Sequence, residues 1–327
     1  MLFFHSLINF AFMTYNRIHT LVIALMLCLG AAGCSASPNH KAPDKKPAYG
    51  ELPMPDVPAS ILEPSDRADY ALMHFWDGVD FTDLNWTADT LALEQNFSNY
   101  AQFFVYASDR GGQAAADSLL LRAARSPKAL QRIVEVADKY LYEPNSPIYN
   151  ERAYIFFLSR MSKLPQLGQA GMQRAALTLE QTSKNRPGMR AADFRFAKRG
   201  GGETTLFSRS APYLLLAFYD PDCESCHQTI ERVRNESRIN DLISRGLVEI
   251  LAIDDTGDRE RWDRTAPTMP SNWIVGFDLT GVDDNDLYIN RATPTMYLMD
   301  ADKKILIKDV SIEQLIEFAY KASENRL

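Results

Sequence analysis

Two cysteines one helical turn apart follow a run of apolar residues, and this feature constrains the fold more than any other. The run YLLLAFY at 213–219 is flanked by prolines, which is typical of a strand buried on both faces of a parallel sheet. Cys223 and Cys226 then open a helix that we expect to extend to about Arg234. A strand that leads directly into a helix in this way indicates an α/β architecture.

The sequence around this junction predicts the rest of a small α/β sheet. A turn at three consecutive glycines, 200–202, predicts a hairpin before the apolar run. The residues after the helix predict a second buried strand, then an antiparallel pair, and a last helix capped by Ser311. The predicted strands are 247–253, 295–300 and 304–310. We therefore predict a sheet with helices on both faces, and we interpret 256–282 as a connecting insertion or packed loop.

The residues before this sheet follow a helical pattern from Ser65 to about Asn185. Ser65-Asp66 is a predicted cap for the first helix, and Ser126-Pro127 opens a later one. Apolar residues recur at helical spacing, as in Leu93, Phe97, Tyr100 and Phe104. No residue here suggests chemistry. We predict an α+β chain, with an all-α helical domain at 65–185 and an α/β domain at 186–327.

The amino terminus has the pattern of an export signal. Residues 21–33 form a short apolar run that ends in small residues, too short to cross a membrane comfortably. Cys34 follows, and Ala-Ala-Gly-Cys resembles a bacterial lipoprotein cleavage box, which implies a signal peptide at 1–34 and lipidation of Cys34. An ordinary signal peptide cut near Ala32 is the alternative. Residues 35–64 contain seven prolines, which predicts an extended tether.

Composition excludes some classes of function. The chain has 35 basic and 42 acidic residues, for a net charge of -7, which argues against a nucleic-acid partner because phosphates need a basic surface. Four cysteines in 327 residues are too few for a disulfide-stabilised scaffold. Once Cys28 and Cys34 are assigned to the export signal, Cys223 and Cys226 are the two thiols that remain.

Their position has a chemical meaning. A thiol at a helix N-terminus faces unpaired backbone N–H groups, which stabilise its thiolate. Cys226, one turn later, is placed to attack a mixed disulfide formed by Cys223 and release the partner. A purely structural disulfide over so short a loop would stabilise little. The pair therefore predicts thiol–disulfide exchange.

With these residues in view, 186–327 resembles the thioredoxin-like superfamily, in particular the membrane-associated TlpA/ResA-type thiol–disulfide oxidoreductases. The resemblance rests on YLLLAFYDPDCESCHQ and on Ala-Thr-Pro-Thr at 292–295. It implies that Pro294 is cis and that Thr293 offers backbone groups to a substrate peptide. The preceding domain is similar to an uncharacterised helical domain found before such modules.

The function that the resemblance implies is a lipid-anchored enzyme with a redox-active dithiol, facing the periplasm or the exterior of the cell envelope. Its partners would be protein or peptide disulfides and a membrane electron donor or thioredoxin-type reductant. We predict no cofactor and no metal.

The sequence departs from the family at the proton acceptor. Ala217 and Thr229 occupy the positions where relatives carry a carboxylate, which leaves Glu231 and Asp254 as weak candidates. Asp222 and Glu224 flank Cys223, and like-charge repulsion is expected to raise its pKa. A less stable thiolate favours the disulfide, so we predict a reducing couple.

Two other interpretations of the same residues stay open at this stage. Cys223-Glu-Ser-Cys226-His227 also matches the C-x-x-C-H pattern of c-type haem attachment. A third hypothesis is a non-enzymatic interaction platform in which the cysteines have no redox role. A zinc site is disfavoured because no second cluster of cysteine and histidine accompanies the pair.

Overall fold

The computed structural model describes residues 50–324. The predicted signal peptide, Cys34 and the first half of the predicted tether lie outside the described residues. Within the described part of the chain, no helix is both long enough and apolar enough to cross a membrane.

Residues 64–185, which we call the helical half, contain α-helices and short 3-10 and π turns. Its α-helices are α1 (Pro64–His74), α2 (Leu84–Ala88), α3 (Thr90–Ala101), α4 (Asp109–Ala123), α5 (Pro127–Ala137), α6 (Glu151–Met161) and α7 (Gly168–Thr182). The helical pattern predicted from sequence is confirmed.

One aromatic-rich core holds the helical half together. The stripe of Leu93, Phe97, Tyr100 and Phe104 is buried in it, as their helical spacing predicts. Ser126 caps α5 by accepting a hydrogen bond from the Ala129 amide. These interactions explain why the helices form where the sequence places them.

The start of α1 differs from the prediction. The helix begins at Pro64 with Glu63 at the N-cap position, not at Ser65-Asp66, because proline is favoured in the first turn of a helix. The last part of the predicted tether is also not free of the helical half. The Leu52 amide donates to Asn96 Oδ1 at 2.7 Å, and Asn99 donates to Glu51 at 2.8 Å. Residues 50–52 thus lie against α3.

Residues 186–324, which we call the sheet half, form a seven-stranded mixed sheet with strand order β2-β1-β5-β4-β3-β6-β7. Strands β3 and β4 are parallel and central, and β6 pairs antiparallel with β3. The strands are β1 (Arg195–Lys198), β2 (Glu203–Thr205), β3 (Tyr213–Tyr219), β4 (Val248–Asp254), β5 (Ile274–Asp278), β6 (Thr295–Asp300) and β7 (Ile305–Lys308). The helices are α8 (Glu224–Asn235), α9 (Ser237–Ser244), α10 (Arg259–Thr265) and α11 (Ile312–Ser323).

Two details of the sheet half differ from the sequence prediction. The segment 256–282, interpreted as a loop, contains α10 and the strand β5. Helices on both faces were also expected, but α8 to α11 all contribute to one core. The opposite core contains strand and loop residues such as Phe194, Val282 and Tyr288, with no α-helical residue among its buried members. Bulky loop side chains cover that face in place of helices.

Candidate redox site

Cys223 is the N-cap residue of α8, directly after the turn that follows β3. Its sulfur accepts a hydrogen bond from the Cys226 backbone amide at 3.2 Å. The Cys223 side chain is partly exposed, whereas Cys226 is fully buried against the sheet, and both are free thiols. The geometry therefore leaves one sulfur open to a partner and shields the other one turn behind it.

The loop before β6 closes over Cys223. The peptide bond between Thr293 and Pro294 is cis, as the family resemblance implies. Thr293 Oγ1 donates to Cys223 Sγ at 3.4 Å, and the Thr293 carbonyl oxygen lies 3.6 Å from the same sulfur. The structure thus brings together Cys223, Thr293 and Pro294, which are about 70 residues apart in sequence.

Ser225 connects the two sides of the site. Its hydroxyl lies 3.0 Å from Cys223 Sγ and donates to the Thr293 carbonyl at 2.8 Å. Because a hydroxyl has one proton, Ser225 can stabilise a Cys223 thiolate only by turning that proton away from Thr293. The sequence analysis did not identify Ser225, although its place inside the C-x-x-C motif was a signal for it.

The pKa values of the two thiols are shifted in opposite directions. Partial burial opposes ionisation of Cys223, but hydrogen bonds from Cys226, Ser225 and Thr293 outweigh it and lower its pKa to about 7. For Cys226, burial and then the hydrogen bond with Cys223 raise the pKa to about 12. At neutral pH a substantial fraction of Cys223 is therefore thiolate, whereas Cys226 is a protonated thiol.

The predicted rise in the Cys223 pKa is wrong, because the hydrogen bonds to its sulfur outweigh the effects that oppose ionisation. One of the two flanking acids is also paired with a base. Arg261 in α10 donates to Asp222 at 2.6 Å and pairs with Asp220 at 3.4 Å. The sequence prediction placed Asp222 and Glu224 beside the thiol without a partner. Arg261 lies 39 residues from Asp222, in the segment interpreted as a loop, so no local pattern indicated the ion pair.

The positions that carry a carboxylate in relatives contribute to an apolar cavity here. Ala217 and Thr229 line it together with Ile230, Trp273 and Pro294. Neither position therefore supplies a carboxylate that could take a proton from Cys226.

The two carboxylates considered from sequence have different surroundings. Glu231 is exposed on α8 and pairs with Arg234 at 3.1 Å. Asp254 is fully buried at the end of β4 and pairs in register with Tyr219 of β3. Because paired residues of neighbouring strands point to the same face, the Asp254 side chain lies on the face that Cys226 packs against.

Asp254 also has an unused oxygen. Its Oδ1 accepts hydrogen bonds from the backbone and hydroxyl of Thr256, whereas its Oδ2 and the Tyr219 hydroxyl are buried without a partner. Burial raises the pKa of Asp254 in spite of the Thr256 hydrogen bonds. These features favour Asp254 over Glu231 as a proton acceptor.

The haem interpretation fits the site poorly. The His227 ring nitrogen is 2.6 Å from the Pro221 carbonyl oxygen, and Cys226 belongs to the packed core beneath α8. Covalent attachment of a porphyrin would need both groups to leave these positions. Among the described residues, no group of three or more histidine, cysteine or acidic side chains is arranged to hold a metal ion.

A mixed sheet of this order, with C-x-x-C at the start of a helix and a cis-proline facing it, defines a thioredoxin-like protein. The solved structure of a thioredoxin-like protein from Bacteroides caccae matches with a TM-score of 0.77 and 30% identity. The match covers 83% of this chain and 99% of that chain, so it extends beyond the sheet half. The chain belongs to the thioredoxin-like proteins.

Other comparisons cover parts of the chain. The model of a family described as a domain of unknown function, DUF5106, matches residues 33–185. A conserved protein of unknown function from Bacteroides fragilis matches 41% of this chain and 98% of its own at 37% identity, with a TM-score of 0.40. The thioredoxin domain of a thiol–disulfide oxidoreductase from Bacteroides vulgatus is 20% identical over 42% of this chain and 97% of its own, with a TM-score of 0.37. No curated protein matches the chain.

Proposed function

We propose that the protein is a thiol–disulfide oxidoreductase that reduces disulfides of proteins or peptides in the cell envelope. The observation that carries the proposal is the pairing of a partly exposed Cys223, with a pKa of about 7, and a buried Cys226 next to the cis Thr293–Pro294 bond. Thiolate character and accessibility are the two properties that a nucleophilic cysteine needs.

The proposed reaction has two exchange steps. The Cys223 thiolate attacks one sulfur of a substrate disulfide, whose S–S bond breaks, and the departing substrate thiolate takes a proton from solvent. Cys226 then loses its proton and attacks the Cys223 sulfur of the mixed disulfide. The second substrate thiolate leaves and is protonated, and the enzyme holds a Cys223–Cys226 disulfide. Two electrons have passed to the substrate, and a membrane donor or thioredoxin-type reductant must return them.

We also propose roles for three further residues. Thr293 and Pro294 dock the substrate peptide beside Cys223, supported by the contacts of Thr293 with that sulfur. Asp254 accepts the proton of Cys226, supported by its burial and its unpaired oxygen on the same face of the sheet.

The proposed location is the cell envelope, with the protein held to a membrane through lipid on Cys34. The support comes from the sequence alone, namely the apolar run at 21–33 and the small residues before Cys34. An exported, oxidising compartment is also where disulfide substrates form and persist.

Three variants of the full-length chain test the proposal. Cys223→Ser is expected to abolish reduction of a disulfide-bonded peptide, because the nucleophile is lost. Cys226→Ser is expected to accumulate a mixed disulfide between Cys223 and the substrate, visible by non-reducing electrophoresis and mass spectrometry. Cys34→Ser is the matched control, since it makes the same change outside the site and is expected to retain reductase activity while leaving the membrane fraction.

Absence of reductase activity in the wild-type protein would favour the non-enzymatic platform, unchanged activity in Cys223→Ser would remove Cys223 from the mechanism, and a Soret band in the purified protein would favour haem attachment. The reducing direction has its own test, a titration of the dithiol against glutathione. A pKa of about 7 is far above the roughly 3.5 of a strongly oxidising thiol. A potential near roughly −120 mV, typical of such an oxidant, would contradict this direction.

A further inference from the structure

The segment that carries the cis-proline has no regular secondary structure. Residues 279–294 connect β5 to β6 without a helix or strand. Within the sheet half, the segment is held by a hydrogen bond from Asn290 to Asp255 at 2.6 Å and one from the Tyr288 hydroxyl to the Ala192 carbonyl at 2.6 Å. We call residues 279–294 the cis-proline loop. Because the loop has no regular secondary structure, the position of Thr293 also depends on the loop's contacts with the helical half.

Arg291 holds the loop from the outside, through the helical half. Its guanidinium lies over the ring of Tyr142, 3.7 Å from the ring centroid, and donates to the Tyr142 carbonyl. It also donates to the Tyr149 hydroxyl at 3.0 Å. Stacking and hydrogen bonding together fix the planar guanidinium group in one orientation.

The two tyrosines that contact Arg291 are themselves held in place by further contacts. Tyr142 stacks on Tyr154 with ring centroids 4.5 Å apart, and the Tyr154 hydroxyl donates to Asp138 at 2.5 Å. The Tyr149 hydroxyl donates to Asp309, just after β7, at 2.8 Å. The turn between α5 and α6 is thereby tied to the sheet at a second point.

Further contacts join the helical half to the sheet half. A buried ion pair joins Lys308 of β7 to Glu151 of α6 at 2.8 Å. In the middle of the cis-proline loop, Lys184 donates to the Asp286 carbonyl at 2.9 Å and Asn185 donates to the Leu287 carbonyl at 2.6 Å. The loop is thus bonded to the helical half at its middle and again at Arg291.

We propose that the helical half holds the cis-proline loop against Cys223 and that Arg291 is the positioning residue through which it acts. This inference rests on the proposed function, and it assigns a role to the half that the sequence analysis left without one. The link is short, since Arg291 is two residues from Thr293, whose hydroxyl and carbonyl both contact the Cys223 sulfur. A loop released at Arg291 loses the restraint that keeps these groups in place.

The test compares Arg291→Ala and Arg291→Lys with wild type in the full chain. The first readout is the rate of alkylation of Cys223 by iodoacetamide against pH, followed by mass spectrometry. Loss of the Thr293 contacts is expected to slow alkylation at pH 7 at least about threefold and to move its midpoint upward, because the thiolate is less stabilised. Lysine retains the charge without the planar fork, so Arg291→Lys is expected to fall between the two.

The second readout is the kinetics with two substrates. A disulfide-bonded peptide needs the docking loop, and its KM is expected to rise about tenfold in Arg291→Ala, a loss of about 1.4 kcal/mol of binding. A small aromatic disulfide does not need the loop and should change much less. Arg110→Ala, which removes an exposed arginine of α4, is the control and should match wild type in both readouts.

Tyr149→Phe is a milder second test of the same contact, in case Arg291→Ala fails to fold. It keeps the ring but removes the hydroxyl that bonds Arg291 and Asp309, so a smaller shift in the same direction is expected. If folded Arg291→Ala has the wild-type alkylation profile and peptide KM, the inference is wrong. If Arg291→Ala does not fold and both Arg291→Lys and Tyr149→Phe behave as wild type, Arg291 is only structural and the inference is again wrong.

The outcome is separable from the proposed function. The alkylation profile measures the loop's effect on Cys223 even in a protein that reduces no disulfide. Conversely, active enzyme with an unchanged profile in Arg291→Ala would leave the proposed function standing and overturn only the positioning role.

Discussion

The helical half and the sheet half bury their side chains in different ways. The helical half has one continuous core rich in aromatic rings, in which Phe97 contacts both Tyr100 and Phe157. The sheet half has two cores, one on each face, and the one beneath α8 includes a thiol. Both halves bury polar atoms without a hydrogen-bond partner, among them those of Trp76 and Tyr100 in the helical half and those of Tyr219 and Asp254 at the ends of β3 and β4.

This difference separates stability from chemistry. Unpaired buried polar groups destabilise a fold, and those of Tyr219 and Asp254 lie on the same face of the sheet as Cys226. The helical half has the packing expected of a scaffold, whereas the sheet half holds ionisable groups next to its reactive sulfurs.

A core change in the helical half, away from the contacts of Tyr142 and Tyr149 with Arg291, should therefore lower stability without altering Cys223. A change at Asp254, in contrast, should alter the exchange reaction. Four variants test this comparison.

Leu120→Ala is expected to have the largest effect. Leu120 is fully buried in α4, and removing such a side chain leaves a cavity that lowers the free energy of unfolding by about 2–5 kcal/mol. Urea denaturation measures this loss. The neighbouring Leu121 is exposed, so Leu121→Ala is the matched control and should stay within about 0.5 kcal/mol of wild type. A change in the Cys223 alkylation profile of folded Leu120→Ala would contradict the separation.

Asp254→Asn tests the chemistry of the sheet half. The amide can still accept the Thr256 hydrogen bonds but cannot take a proton, so release of the mixed disulfide by Cys226 should slow by about 100-fold. Attack by Cys223 should be unaffected. Rapid-quench analysis separates these two steps. Glu231→Gln is the control, because Glu231 is exposed on α8, and an equal slowing in both variants would remove Asp254 from the mechanism.

Asp255→Asn tests a half-buried carboxyl that contacts the cis-proline loop. Burial raises the pKa of Asp255 to about 6 in spite of its hydrogen bond from Asn290. Because the folded-state pKa is raised, ionisation destabilises the fold as the pH rises from about 4 through 6. The shift corresponds to roughly 3 kcal/mol, and partial exposure reduces the expected gain to about 1–2 kcal/mol.

The gain in Asp255→Asn should therefore appear at pH 8 and vanish near pH 4, as measured by urea denaturation at both values. Asp284→Asn, at an exposed position of the same loop, should show no such pH dependence. A gain in stability of equal size at pH 4 would show that ionisation of Asp255 does not destabilise the fold.

Ser311→Ala is expected to have the smallest effect. Ser311 and Gln314 form a capping box at the start of α11, and loss of such a cap lowers stability by about 1 kcal/mol. Thermal unfolding should show a small decrease. Ser311→Thr keeps the hydroxyl and should recover most of the loss, whereas equal losses in both variants would mean that the cap hydrogen bond contributes nothing.

The regular part of the fold was predictable because its signals are local. The runs at β3 and β4, the helix that starts at Cys223 and the cap at Ser311 are each written in a few consecutive residues. Strand β5 was missed because Gly276 interrupts its short run. A Cβ there would lie 2.5 Å from Phe196 and 2.7 Å from Ile253, so close packing between neighbouring strands requires glycine, a requirement that the strand's own sequence does not reveal.

The site was predictable only in part for the same reason. The C-x-x-C motif and Thr293-Pro294 are recognisable family motifs. The ion pair between Arg261 and Asp222 spans 39 residues, and the contact between Arg291 and Tyr142 spans 149. Contacts of this range depend on the completed tertiary fold. The direction of the Cys223 pKa shift was predicted wrongly because the hydrogen bonds that lower it, including the one from Thr293, depend on the folded structure.

The buried pair of Lys308 and Glu151 has a consequence for chimeric proteins. Their side chains are only 6% and 12% exposed, so a foreign helical half lacking an acid at this place would enclose a lysine without its counterion. Such a mismatch is expected to cost about 3–5 kcal/mol. Exchange of whole halves between relatives should succeed only when the acid and the base are inherited together.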